Sequence, residues 1–409
     1  MRALRRRRRL RASLIQLVYV AAFYILALIV VRIRSGPTVP AKTAVPMLFA
    51  LAGGLVGFIG IVYSLLFLVV QWASSAYSPR LNVFRDRPIV WHSFGFYVGS
   101  IVYCLVSGLA LGNEFEVSVI VPSVAVVAIL VGLALFKALQ NGALGAIQLA
   151  PTLDAIVARG RLVLSALYTI PYRAKVETTP ELPPMRSEIR WEERPRVLQQ
   201  VDVPKLVRLA ERADVVVVLE TAVGSPLVEH DVVARICGGG TALSESDVLK
   251  TLVAGPERTF DQDPLLSFRL LVDIALRALS PAINDPTTAV QALDAIDGLI
   301  RPLCDRDLDV GWIAGANGDP RVVALLPVWE DFVALISDEI TLAASTSPQV
   351  LLRLERLLTG VDKLVPPARH AALVSRLAAV RRARASLESV SPTMSDRPTA
   401  SNRTEVMLP

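Results

Sequence analysis

The chain has 409 residues, of which 53% are hydrophobic and only 20% charged, and its mean hydropathy is +0.49. A purely soluble protein is less apolar on average, so part of the chain is expected in lipid. The formal net charge is +6, but residues 1–172 carry 16 Lys and Arg against 4 Asp and Glu, whereas residues 173–391 carry 25 against 31. Because the expected soluble part is acidic, nucleic-acid binding is disfavoured.

The three cysteines, Cys104, Cys237 and Cys304, are far apart in the chain, and only three histidines accompany them. No C-x-x-C pair is present, so neither a disulfide framework nor a zinc site is indicated. Free cysteines are typical of a reducing compartment. The pattern predicts no cofactor.

Four apolar segments are long enough to cross a bilayer, which takes about 20 residues of helix. They cover residues 13–31, 45–70, 93–112 and 117–136. The first follows a basic tail, residues 1–12, but it is longer than a signal-peptide core and lacks a small-residue cleavage site. We therefore expect an uncleaved anchor and a four-helix transmembrane bundle over residues 13–136.

The basic residues near the spans predict the orientation, because Lys and Arg concentrate in cytoplasmic loops. Seven arginines precede the first span, Arg80, Arg85 and Arg87 lie between the second and third, and Lys137 follows the fourth. The loop between the third and fourth spans has two acids and no base. Only the first loop, with three basic residues, disagrees with this orientation. We expect a multi-pass protein of the plasma membrane with both termini in the cytoplasm.

The content of the spans bears on transport and on association. None has an ionisable residue near its centre, where ion-coupled transporters place theirs, so such a transporter is disfavoured. The second span contains Gly53-x-x-x-Gly57, a pattern that lets two helix backbones approach closely. Packing among the four spans is the favoured interpretation, and association of two copies stays open.

Residues 137–185 form a juxtamembrane amphipathic segment and a linker. The segment is basic and has apolar residues at helical spacing, interrupted by Pro151 and Gly160. It could lie along the cytoplasmic leaflet or connect the fourth span to the next domain as a packed helix. The sequence VETTPELPPMRSE then marks a domain boundary.

The remaining chain predicts a mainly α cytoplasmic domain with a small β (α+β) subdomain. Residues 186–240 form the small α/β subdomain, with a helix capped by Asp202 and strands in ADVVVVLE and LVEHDVVARIC. Residues 241–391 are helical at 244–254, 264–279, 286–303, 327–344, 348–359 and 367–388, with a short β pair in VGWIA and RVVALL. Residues 392–409 are polar and aperiodic, which predicts a disordered tail.

The glycines Gly238 to Gly240 precede a predicted helix, a position from which backbone N–H groups can bind an anion. The phosphate-loop pattern G-x-x-x-x-G-K-[ST] is absent from the sequence, so a plain turn is favoured.

Three groups of phrases occur together in one known family: SSAYSPRLNVFRDRP with GFYVGSIVYCL, then GRLVLSALYTIPY, then GPERTFDQDPLLSFRLLVDIALRALSPAINDPTTAVQALD. With them the chain resembles the bacterial predicted membrane proteins catalogued as domain of unknown function 2254 (DUF2254). The resemblance extends over most of the chain and implies a four-span membrane domain with a cytoplasmic domain. It implies no particular activity, substrate or catalytic residue.

The last phrase contains the candidate binding or structural motif. Its polar members are Arg258, Asp261, Asp263, Ser280, Asn284, Asp285, Thr287 and Asp294. A structural interpretation accounts for most of them, because Pro281 ends one helix while Asp285 caps the next and Pro286 occupies its first position. A binding site requires the two ends of the helix 264–279 to converge, through a neighbouring helix or a second subunit, so that Arg258 pairs with a carboxylate or the acids hold a metal ion. The structural interpretation is favoured.

Three functions remain compatible with these features. The favoured one is a non-enzymatic, membrane-anchored sensing, scaffolding or regulatory protein, because it requires the least chemistry that the sequence does not contain. The alternatives are an oligomeric channel or transporter, lined by the second span and by Tyr97, Ser100 and Tyr103 of the third, and a metal-dependent membrane enzyme. The expected partner is the lipid bilayer, a homo-oligomer stays open, and a small ligand is not identified.

Overall fold

The computed structural model describes residues 2–76, 88–172 and 181–390. The chain divides into two compact units, Met1–Thr152 and Leu153–Pro409, named here the helical unit and the mixed unit. The predicted disordered tail and the arginines Arg80, Arg85 and Arg87 lie outside the described residues.

The helical unit contains four long apolar helices, as the sequence predicts. They are α1 (Arg2–Val31), α2 (Ala41–Ala76), α3 (Pro88–Ala110) and α4 (Ile120–Ile147). Each contains a segment long and apolar enough to cross a membrane: Leu14–Val31, Ala41–Leu68, Ile89–Ala110 and Ile120–Gly142. The helices are longer than the predicted spans, because α1 extends through the basic tail and α4 continues past residue 136.

Helix α3 is the central element of this unit. Of its apolar segment 39% is buried, whereas the other three reach 11% to 28%. Two aromatic rings of α1 pack directly against glycines of α3. A Cβ at Gly95 would lie 2.8 Å from the Tyr19 ring, and a Cβ at Gly99 would lie 2.6 Å from the Phe23 ring, so neither position has room for a side chain. The small-residue motif that packs within the chain is therefore Gly95-x-x-x-Gly99.

The glycine motif of the second span lies elsewhere. A Cβ placed at Gly53, Gly54, Gly57 or Gly60 would meet no atom of another helix within 4 Å among the described residues, and all four glycines are exposed. The prediction that this motif packs among the four spans is wrong, because the α2 face that contains it points away from the bundle.

Two tyrosines of α3 bond to the backbone of α4. The Tyr97 hydroxyl donates to the Gly132 carbonyl oxygen at 2.6 Å, and the Tyr103 hydroxyl donates to the Val121 carbonyl oxygen at 2.9 Å. Both side chains are buried. Within one chain these residues hold α3 against α4, since a buried hydroxyl needs a partner.

The first and third loops meet at one end of the helical unit. Strand β1 (Thr38–Pro40) pairs antiparallel with β2 (Glu116–Ser118). Arg34 of the first loop lies 3.4 Å from the carboxylate of Glu114. Arg34 is one of the three basic residues of the first loop, whose charge disagrees with the predicted orientation. Glu114, an acid of the third loop, lies beside it.

Eight described strands of the mixed unit form two sheets. They are β3 (Met185–Arg190), β4 (Arg196–Val201), β5 (Val216–Leu219), β6 (Pro226–Leu227), β7 (Val232–Cys237), β8 (Leu252–Gly255), β9 (Trp312–Ala314) and β10 (Pro320–Val323). Five form a sheet in the order β3-β7-β5-β10-β9, and three form a sheet in the order β6-β4-β8. The pair of β5 and β10 is parallel. Helix α6 (Val203–Ala213) packs its apolar face into the core of the sheets through Leu206 and Ala210.

The sheets are larger than the expected small subdomain, because they recruit strands that lie far apart in sequence. The predicted β pair, β9 and β10, joins β5 across about a hundred residues of chain. The predicted helix 244–254 is wrong in its second half: α7 covers only Glu245–Leu249, and β8 follows and pairs with β4. Backbone pairing with β4 outweighs the helical spacing of this short apolar run.

The helical layer agrees with the sequence prediction. It comprises α8 (Leu266–Ala278), α9 (Pro286–Ile300), α10 (Trp329–Ala343), α11 (Pro348–Asp362) and α12 (His370–Val390). Helix α5 (Leu149–Leu167) also belongs here beyond Thr152, with Ile156, Val163 and Leu164 buried. A Cβ at Gly160 would collide with Ser267 of α8, so α5 approaches closely there. The apolar face of α5 is used inside the domain, which favours the connecting helix over the leaflet helix.

Candidate functional site

The pair formed by partly exposed Arg258 and buried Asp263 is the centre of the first half of the motif. The guanidinium donates from Nε to Oδ2 at 2.6 Å and from Nη2 to Oδ1 at 2.8 Å, a bidentate geometry. Oδ1 of Asp263 also accepts from the backbone N–H groups of Leu265 and Leu266 at 3.1 and 3.0 Å. The aspartate therefore fixes the start of α8 and holds Arg258 at the same time.

The loop 256–263 that contains this pair is bound to β4. The Gln262 side chain accepts from the Val201 N–H at 2.8 Å and donates to the Val201 carbonyl at 3.0 Å. The Gln199 amide donates to the carbonyl of Glu257. The Gln262 side chain thus makes the two hydrogen bonds with Val201 that the backbone of a neighbouring strand would make with β4.

The same loop contacts two further elements of the mixed unit. Asp263 and Arg258 lie against Gly224, whose φ of +95° and lack of a side chain both suit this position, because a Cβ there would collide with the carboxylate. On the other side, the Arg159 guanidinium of α5 lies 5.2 Å from the centre of the Phe260 ring. Asp261, the next residue in the chain, is exposed.

The second half of the motif forms a helix-to-helix corner. The Ser280 hydroxyl donates to the Arg277 carbonyl at 2.7 Å, and the exposed Asn284 adopts a left-handed conformation with φ of +46°. Asp285 caps α9, accepting from the Thr288 N–H at 3.1 Å and from the Thr288 hydroxyl at 2.6 Å. Thr287 is exposed in the first turn.

The hydrogen bonds at Asp285 favour its charged form. The Thr288 hydroxyl and then the Thr288 backbone N–H hold the pKa of the Asp285 carboxyl below its usual range. The shift follows from the cap itself and requires no ligand.

Asp294 belongs to an ion-pair network between α9 and α11. Arg353 of α11 donates from Nε to Asp294 at 2.5 Å and from Nη2 to Asp297 at 2.9 Å. Asp297 also accepts from Arg301 at 2.7 Å. These pairs hold two helices together.

The structure thus separates the residues that a single site would need. Arg258 and Asp263 lie before α8, whereas Ser280, Asn284 and Asp285 lie after it. A helix of 13 residues is about 20 Å long. Within one chain the two groups do not share a pocket.

The acids of the motif do not gather into a metal-binding group. Residues 2–76, 88–172 and 181–390 contain no group of three or more His, Cys, Asp or Glu side chains that could hold a metal ion.

The turn at Gly238 to Gly240 packs against the end of α6. The Gly238 N–H donates to the Pro184 carbonyl at 3.0 Å, and the Thr241 N–H donates to the Ala213 carbonyl at 2.8 Å. The helix that follows, α7, has only five residues. These contacts agree with the plain turn.

The cysteines of the mixed unit, Cys237 and Cys304, are buried and free. Burial raises the pKa of both thiols, that of Cys304 to about 11. Such thiols are poor nucleophiles near neutral pH.

An open cleft beside β5 and β7 was not predicted from the sequence. It lies at the loop 220–226, which contains Gly224. Its volume is 440 Å³. Seven of its eight lining residues lie within residues 220–232, and the eighth, Leu325, follows β10, so the sheet pairing is what brings Leu325 to the others. The one local signal was the Gly224-Ser-Pro226 turn.

The chain combines four apolar helices long enough to cross a membrane with a mixed domain of helices and sheets. The chain belongs to the DUF2254 family of predicted membrane proteins, whose model matches residues 10–360. Uncharacterised proteins of Mycobacterium bovis and Mycobacterium tuberculosis are similar to it, each 29% identical over 358 residues that cover 82% of this chain and 67% of the relative. No solved structure matches the chain.

Proposed function

We propose that the protein is a non-enzymatic, membrane-anchored sensor or regulator whose mixed unit lies in the cytoplasm. The observation that supports a sensing role is the position of the loop 256–263. It touches Gly224 beside the open cleft, and through Phe260 it touches Arg159 of α5. Helix α5 follows the fourth membrane-length helix directly in the chain, so the loop connects the cleft to the chain segment that continues from that helix.

The internal contacts of the motif support a structural rather than a reactive role. Arg258 and Asp263 bind each other, Asp285 caps α9, and Asp294 pairs with Arg353. Groups engaged in this way stabilise the domain.

The cytoplasmic placement rests on the basic flanks of the spans and on an even number of spans. A fluorescent protein fused at the C-terminus should fold and fluoresce in bacterial cells, whereas an alkaline phosphatase fusion at the same point should be inactive. An active phosphatase fusion would reverse the proposed orientation.

The coupling is tested by hydrogen–deuterium exchange on the full chain in nanodiscs. Replacing Arg258→Gln should speed exchange both in residues 221–225 and in α5, because the loop loses its bidentate anchor. Phe260→Ala, a milder change, should speed exchange in α5 if Arg258→Gln does not fold. Arg382→Gln, at an exposed position of α12, is the matched control. Faster exchange confined to residues 256–266 would show that the loop does not couple the two elements.

A further inference from the structure

The open cleft of the mixed unit has a lining of mixed chemistry. Its volume is 440 Å³, sufficient for a small metabolite. The lining residues are Glu220, Thr221, Ala222, Ser225, Pro226, Asp231, Val232 and Leu325. The lining thus includes two residues with carboxylates and two with hydroxyls, and none of the lining residues is Lys or Arg.

The two carboxylates are only partly compensated within the protein. Glu220 lies 3.4 Å from Arg235, whose side chain is itself 46% exposed. Asp231, also in the lining, is exposed. A cleft with acceptors and net negative charge favours a cationic ligand with N–H donors.

The backbone positions of both acids are fixed before any ligand arrives. The Glu220 N–H donates to the Val233 carbonyl at 3.0 Å, and the Asp231 carbonyl accepts from the Trp191 N–H at 3.0 Å. His230, next to Asp231, has a φ of +71° and donates its N–H to the Trp191 carbonyl at 2.7 Å. A preformed frame lowers the ordering cost of binding.

We propose that this cleft binds a small organic cation with one or two ammonium groups, held between Glu220 and Asp231, with Thr221 and Ser225 accepting further N–H groups. This inference rests on the proposed sensing function, for which it supplies the class of ligand. The organic part of the ligand lies against Pro226 and Leu325.

Calorimetric titration of the full chain in nanodiscs with putrescine tests the proposal. Putrescine has two ammonium groups on a four-carbon chain, and 1,4-butanediol is its neutral counterpart. We expect saturable 1:1 binding of putrescine that weakens with added NaCl, and no heat with the diol. Glu220→Gln and Asp231→Asn should each weaken binding about fivefold, the size expected for a partly exposed ion pair.

Glu229→Gln, a nearby exposed acid outside the lining, is the matched control and should bind like the unmodified chain. Equal binding of diol and diamine, undiminished binding by the double variant, or absence of binding would overturn the proposal. Saturable binding of Mg²⁺ or Ca²⁺ that depends on the same two acids and excludes putrescine would replace the organic cation by a metal ion.

The two proposals fail in distinguishable ways. If putrescine binds but leaves exchange in α5 unchanged, the ligand class stands and the sensing route is wrong. If putrescine does not bind while Arg258→Gln still alters exchange in both segments, the route stands and the ligand class is wrong.

Discussion

Asp285 shows how far a single residue can be interpreted from its neighbours in sequence. Its role depends on residues three positions away, so the sequence Asp-Pro-Thr-Thr predicts the cap before any fold is known. Asp263 behaves differently. Its partner Arg258 is also local, but its burial and its contact with Gly224 arise only when the turn before β6 and the start of α8 are brought together.

Replacing the cap separates a structural from a binding role at Asp285. Asp285→Asn should change the free energy of unfolding by less than about 0.5 kcal/mol, because asparagine caps nearly as well. Asp285→Ala should cost about 1 kcal/mol, since the Thr288 N–H loses its acceptor. Thermal unfolding of the full chain in detergent measures both. A cost for asparagine as large as that for alanine would show that the negative charge itself is needed.

Among the elements, identical glycine patterns have opposite roles in α2 and α3. Gly95 and Gly99 receive rings of α1, whereas Gly53 and Gly57 face outward. Sequence cannot distinguish them, because a small residue on a membrane helix allows close approach from any partner. The outward face of α2 leaves the association of two copies of the chain open.

Paired substitutions test this difference between the helices. Gly99→Leu should destabilise the helical unit by about 1–3 kcal/mol through overpacking against Phe23. Gly57→Leu should leave the stability of a single chain within about 0.5 kcal/mol, and should dissociate any oligomer that uses α2. Unfolding in detergent and light scattering after gel filtration measure the two effects. Equal destabilisation by both leucines would contradict the outward orientation of Gly57.

The sheet elements show the limit of local patterns. Residues 252–255 have the spacing of a helix continued from α7, but they pair with β4 as β8. The helices of the mixed unit were easier to predict, because they are long and periodic, and Pro, Ser or Asp residues stand at several of their starts.

Across the whole molecule, ion pairs between helices make the stability of the mixed unit depend on pH. Arg269 of α8 is bidentate with Glu339 of α10 and also bonds Asp273. The hydrogen bonds from Arg269 hold the pKa of Glu339 below its usual range. A carboxylate with a lowered folded-state pKa stabilises the protein above its ordinary pKa of about 4.3, and this contribution is lost as pH falls through the lower value.

Acid unfolding should therefore depend on Glu339. At pH 7, Glu339→Gln should lower stability by at most about 1 kcal/mol, because the side chain is half exposed and the pair is screened. The difference from the unmodified chain should shrink as pH falls below the ordinary glutamate pKa of about 4.3, and vanish once the carboxyl is protonated in the folded chain as well. Melting temperatures measured from pH 7 downward test this; a gap that does not shrink as pH falls would mean that packing rather than charge is responsible. Glu257→Gln, an exposed glutamate, is the control.

Composition and short-range spacing were sufficient to predict the four apolar helices, the helical layer α8 to α12 and the caps, because these depend on contacts within a few residues. Which glycines pack, which strands pair and where the acids of the motif lie relative to one another became known only from the folded chain. Those properties depend on contacts between residues tens to a hundred positions apart, as when β10 joins β5. The physical reason is that a polar or small residue has the same local preferences whichever partner the fold brings to it.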